Sequence, residues 1–75
     1  MPADAFLRAD AFVLDVIGCT PIDGEGLITS AGMTGDDFQL AAASAQAFES
    51  AERIEILEER VSGGLIRAIR FRRLT

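Results

Sequence analysis

The chain has no histidine, lysine, tyrosine or tryptophan, and it has one cysteine, Cys19. Without histidine the usual general base is missing, and with it the usual partner of a nucleophilic serine or cysteine. One thiol cannot close an internal disulfide or build a zinc site. Without lysine the phosphate-binding loop GxxxxGK[ST] is impossible, and the seven glycines form no GxGxxG pattern either. No run of about 20 apolar residues is present to span a bilayer. The opening MPADAFLRAD has no basic start followed by an apolar core, so it does not read as a secretory leader. A free thiol suits a reducing compartment, and a cytoplasmic location is the expectation.

What is present is a short, apolar, acidic chain. Seventy-five residues make one domain at most, and 49% of them are hydrophobic. A chain of this size buries only about 60% of its unfolded surface, so small domains lean on disulfides, metals or partner subunits. With no disulfide possible and no metal cluster in view, the apolar content points to self-association. The net charge of −5 is unevenly spread. Residues 1–62 hold twelve acids and three arginines, a balance of −9, whereas residues 63–75 hold four arginines and no acid, a balance of +4.

Residues 3–17, ADAFLRADAFVLDVI, carry a helical period. Asp4, Arg8, Ala11 and Asp15 share a narrow polar stripe, and apolar side chains occupy most of the remaining circumference. Asp10 is the misfit, lying inside the apolar arc. The two valines and the isoleucine of Ala11–Ile17 allow a competing assignment as a buried strand. Either way the segment is too apolar all round for a free surface element.

Residues 18–35, GCTPIDGEGLITSAGMTG, hold five of the seven glycines and one of the two prolines. They read as a long connection, in which Leu27 and Ile28 form a short strand or plug the core. Residues 36–52 read as an alanine-rich amphipathic helix with Thr34 as its N-cap and Asp36 and Asp37 at its positive end. Phe38, Ala41, Ala45 and Phe48 line one stripe, where small alanines let another element approach closely.

The period breaks near residue 52. RIEILEERV and LIRAIRFRRL then read as a β-hairpin around SGG. Centring a two-residue turn on Ser62–Gly63 places Glu58 opposite Arg67, Glu55 opposite Arg70, Ile56 opposite Ile69 and Ile54 opposite Phe71. Cross-strand acids then answer Arg67 and Arg70, while Arg72 and Arg73 have no structural role.

The expected fold is α+β: an N-terminal apolar helix, an amphipathic helix and a C-terminal antiparallel β-hairpin, with Ala11–Ile17 as a third strand in the alternative. Two functions compete. The first is a non-enzymatic protein-interaction module or small subunit acting as a homo-oligomer, in contact with itself or another protein through Phe38, Ala45, Phe48 and Phe71. The second is a nucleic-acid-binding regulator that lays Arg67, Arg70, Arg72 and Arg73 along phosphates with Phe71 stacking between them. The acidic body opposes the second, since it repels phosphate. A basic terminal strand could also dock on the acidic surface of another copy. An enzyme is the least supported class. It would need carboxylate chemistry or a composite site between subunits. A pocket lined by Asp23, Glu25 and Cys19 would favour it, and no cofactor or metal is expected.

Overall fold

The structure, a computed structural model, describes residues 3–30 and 33–75. The opening Met1–Pro2 and residues 31–32 of the long connection lie outside the described residues. Five elements follow one another: helix α1 (Ala3–Gly18), strand β1 (Glu25–Thr29), helix α2 (Gly35–Ser50), and strands β2 (Ile54–Ser62) and β3 (Leu65–Arg73). The class is α+β, as the sequence pattern indicates. Ala11–Ile17 belongs to α1, so its assignment as a strand is overturned. The third strand comes instead from Glu25–Thr29 within the glycine-rich connection.

The sheet order is β1-β3-β2, antiparallel throughout, so the last strand of the chain lies between the other two. Strands β1 and β2 flank β3 and are joined through α2, which makes a split β-α-β unit. Both helices cover one face of the sheet: α2 packs on β2, β3 and α1, and α1 on β1 and α2. Ile28, Ile54, Ile69 and Phe71 point into this layer and meet Val13, Ile17, Phe38, Ala41, Ala42 and Ala45. The small alanines of α2 allow the close approach that their spacing indicates.

Local chemistry explains each boundary. Thr34 caps α2 by accepting the amide of Asp37 on its hydroxyl at 3.2 Å. At the other end Glu52 takes a left-handed backbone at φ 61°, and the amide of Arg53 donates to the carbonyl of Phe48. This cap ends the helix at Ser50, two residues before the break in its period. Asp10, the misfit of α1, accepts the Ser44 hydroxyl at 2.5 Å and so ties α1 to α2.

The hairpin turns at Gly63–Gly64, one residue later than the sequence reading places it. Both residues have positive φ, 62° and 77°, which a two-residue hairpin turn requires and which glycine adopts without strain. Serine at the first turn position would be strained, so the turn moves and the whole register moves with it. Glu58 faces Arg70, Glu55 faces Arg72, Ile56 faces Phe71 and Ile54 faces Arg73. The expected pairings of Glu58 with Arg67, Glu55 with Arg70, Ile56 with Ile69 and Ile54 with Phe71 are corrected accordingly. Irregularities at Leu57 and Arg67 each add one residue to a strand.

Gly26 of β1 lies directly under the ring of Phe71. A Cβ there would sit 2.7 Å from Phe71 Cζ and 2.6 Å from Thr20 Oγ1. Gly26→Ala is therefore expected to destabilise the fold by about 1–3 kcal/mol through overpacking. Glu52→Gly is expected to stabilise it by about 0.5–1 kcal/mol by relieving the left-handed strain. Urea unfolding followed by circular dichroism reads both changes, and opposite signs are the expected result.

Candidate interaction surfaces

The four arginines of the last strand are held by this chain's own groups. Arg70 Nη1 lies 2.8 Å from Glu25 Oε1 on β1, and Arg72 Nη2 lies 2.7 Å from Glu55 Oε1 on β2. The two outer strands thus supply one carboxylate each to the central strand. Both pairs are about half exposed, so each contributes at most about 1 kcal/mol. Arg67 Nε donates to the carbonyl of Ser62 at 3.4 Å.

Arg73 has the most structural role of the four. Its Nη1 donates to the carbonyls of Thr20 at 2.9 Å and Ile17 at 3.2 Å, and its Nε donates to Thr75 O at 2.8 Å. Those carbonyls close α1, where a cation also meets the negative end of the helix dipole. The backbone of Arg73 accepts from the Asp23 amide and donates to the Gly24 carbonyl. One residue therefore fastens β3 to the end of α1 and to the turn before β1. The expectation that Arg72 and Arg73 lack a structural role is overturned.

The predicted contact residues divide by burial. Phe38, Ala45 and Phe71 are wholly enclosed in the core, so with the fold intact they have no surface to give a partner. Phe48 is half-buried against the same core. The stripe on α2 is the face it turns to its own sheet and to α1. Phe71 packs over Gly26 and has no exposed ring for a base to stack on.

Cys19 is exposed, one residue past α1. Asp23 is exposed and holds a left-handed backbone at φ 67° inside the Pro21–Gly24 turn, and Glu25 is engaged by Arg70. No group of three or more histidine, cysteine, aspartate or glutamate side chains suited to a metal ion occurs among the described residues. A cleft of about 210 Å³ between the helices is lined by Arg8, Ala9, Met33 and Asp37. It is smaller than the roughly 300–1,000 Å³ of ordinary ligand pockets. A second depression, of about 320 Å³, lies on the open face of the sheet among Glu25, Leu27, Glu58, Arg60 and Arg70. Cys19 and Asp23 line neither cleft.

Among the described residues, two surfaces remain uncovered. The sheet face away from the helices carries Leu27, Leu57, Thr29 and Ala68 among the acid–arginine pairs of Glu25, Glu55, Arg70 and Arg72. This is the solvated side expected of an antiparallel sheet. Its borders are partly closed. Gln39 brackets Ile66, donating to its carbonyl at 2.9 Å and accepting its amide at 3.1 Å, where β1 has already ended. On the opposite edge Glu49 accepts the amide of Ile56 at 2.8 Å. The bulge at Leu57 also disfavours pairing with a further strand.

The second uncovered surface is the outer side of α1. Leu7 is 66% exposed and Leu14 48%, whereas Phe6, 47% exposed, continues the inner Ala9–Val13–Ile17 stripe at the start of the helix. Sequence reading detects the excess apolar circumference of this segment, but periodicity alone does not say which apolar residues the rest of the chain will cover. No helix among the described residues is long and apolar enough to cross a membrane. Comparison with protein-family models, with curated proteins and with solved structures finds no match for this chain.

Arg73→Ala is expected to cost about 1–3 kcal/mol, since it leaves partly buried carbonyls unpaired. Arg70→Ala and Arg72→Ala are each expected to cost less than about 1 kcal/mol. Chemical denaturation of the three variants measures the ranking. Equal losses at all three positions would contradict the special place given to Arg73.

Proposed function

We propose that this chain is a non-enzymatic protein-interaction module that acts as a homo-oligomer, with its contact surface on the outer side of α1 rather than on α2. The observation that carries this reading is the exposure of Leu7 and Leu14 on the outer side of a helix that already buries Ala9, Val13 and Ile17 on its inner side. A monomer gains nothing from two large apolar side chains side by side in water, whereas burying one such side chain in an interface contributes roughly 1.5–3 kcal/mol. Single exposed apolar residues are ordinary, but a group of them on one element marks an interaction site. The lack of histidine and the engagement of Glu25 by Arg70 also favour binding over catalysis.

The nucleic-acid alternative receives less support. Its four arginines are each engaged by a carboxylate or a backbone carbonyl of this chain, and a phosphate would have to displace those partners. The +4 terminal segment is flanked by strands that supply Glu25 and Glu55, so its charge is answered locally.

Light scattering behind size exclusion, at two protein concentrations and at low and high salt, tests the reading. A dimer or larger species that persists in high salt is expected, because apolar burial is not screened by ions. Leu14→Glu is expected to shift the population to a folded monomer. A folded monomer under every condition would reject the homo-oligomer. Dissociation in high salt alone would instead favour docking of the basic strand on an acidic surface.

A further inference from the structure

The exposed side of α1 has a pattern more specific than general apolarity. Leu7, Ala11, Leu14 and Gly18 follow one another at intervals of four, three and four residues. This is the spacing of a seam along which two helices pack. Leu7, Ala11, Leu14 and Gly18 are all exposed, so no element among the described residues covers the seam. It alternates large and small residues, which suits a partner that alternates in the opposite phase.

Gly18 is informative because its own chain gives no reason for it. A Cβ added there would meet nothing within 4 Å. Its φ is not positive, unlike those of Gly63 and Gly64, so it is not the left-handed glycine that commonly ends a helix. Neither local packing nor backbone conformation requires glycine at this position.

We infer that a second copy of the chain docks on this seam, with the two α1 helices antiparallel about a two-fold axis. This inference rests on the homo-oligomer reading above and specifies its contact. In that arrangement Leu7 lies opposite Gly18 of the second copy, and Ala11 opposite its Leu14. The two-fold axis repeats both contacts, giving four layers in which each leucine faces a small residue. Arg8 and Asp15 occupy the same flank, each one residue after a seam leucine. Antiparallel helices bring like flanks together, so Arg8 of each copy approaches Asp15 of the other.

Charge supports the direction as well as the partner. Within the chain Arg8 makes only a 3.4 Å contact with the carbonyl of Asp4, and Asp15 makes no side-chain hydrogen bond or ion pair among the described residues. A parallel pair would bring unlike flanks together, leaving Arg8 and Asp15 of the two copies on opposite sides of the seam and out of reach of one another. The antiparallel pair converts the same four charges into two attractive contacts. An interface of this kind is self-complementary, as a closed dimer requires.

The test measures the dimer dissociation constant of the full chain by sedimentation equilibrium, with circular dichroism and thermal unfolding to check the fold. Arg8→Asp and Asp15→Arg are each expected to weaken the dimer by about tenfold, since each replaces two attractive contacts by two repulsive ones. The double variant Arg8→Asp/Asp15→Arg is expected to recover most of the loss, which a merely structural effect would not produce. Gly18→Leu is expected to abolish association while leaving the fold intact, because the added side chain has open space in the monomer and meets Leu7 in the dimer. A dimer indifferent to all four variants overturns the α1 seam and leaves the homo-oligomer reading standing. A wild-type chain that never associates overturns both.

Discussion

The fold depends on inserting its last strand between the first two. β3 is the only strand with neighbours on both sides, and it brings Ile69 and Phe71 to the core. The close approach of Phe71 to β1 is possible only because residue 26 has no side chain. Arg73, at the end of the same strand, reaches two carbonyls at the end of α1 and pairs through its backbone with the turn before β1. Residues 17–28 and residues 69–73 thus hold one another in place, although more than forty positions of chain separate them. Such contacts are costly in loop-closure entropy and repay it only when the last strand arrives. The helices can form early, but neither has a complete surface to pack on before that.

The same topology accounts for the uneven charge. In sequence the arginines of the last segment are separated from the acids, as they would be in a basic tail. In space the tail is the middle of the sheet, and Glu25 and Glu55 reach it from either side. The gain from two half-exposed pairs is small, so charge does not hold the sheet together. Its effect is on pairing specificity. A slip of β3 by one residue against β2 would move Arg72 away from Glu55 and turn Phe71 toward water, and the second penalty is the larger.

How far the sequence is legible follows from which signals are local. Helix α2 declares itself through its cap, its alanines and its acidic first turn, all of which act within a few residues. The hairpin declares itself through alternation, but its register depends on whether Ser62 or Gly64 joins Gly63 in the left-handed turn. The bulges at Leu57 and Arg67 leave no mark in the pattern. Strand β1 is legible only at Leu27 and Ile28, because its glycines read as punctuation and Gly26 is selected by a ring forty-five residues away. The contact surface is misplaced for a related reason. The Phe38–Phe48 stripe of α2 is indeed a binding surface, but what it binds is the chain's own sheet and α1. Composition signals an excess of apolar side chains without saying which of two helices presents it.

That excess falls on α1 because of where the sheet lies. Three strands give one inner face, and α2 takes most of it by packing on both β2 and β3. Helix α1 is left with the β1 edge and the flank of α2, which together cover only its Ala9–Val13–Ile17 side. A helix needed only for that contact could carry polar residues at positions 7 and 14 and alanine at 18, each neutral or favourable for helix formation. The residues present are two leucines, and a terminal glycine that neither the packing nor the backbone of the chain requires. Their cost to the isolated chain is offset only where another surface meets them. The small size of the domain makes the same demand from a different direction, since 75 residues leave little stability from a single core. The exposed face of α1 is where both requirements can be met by one contact.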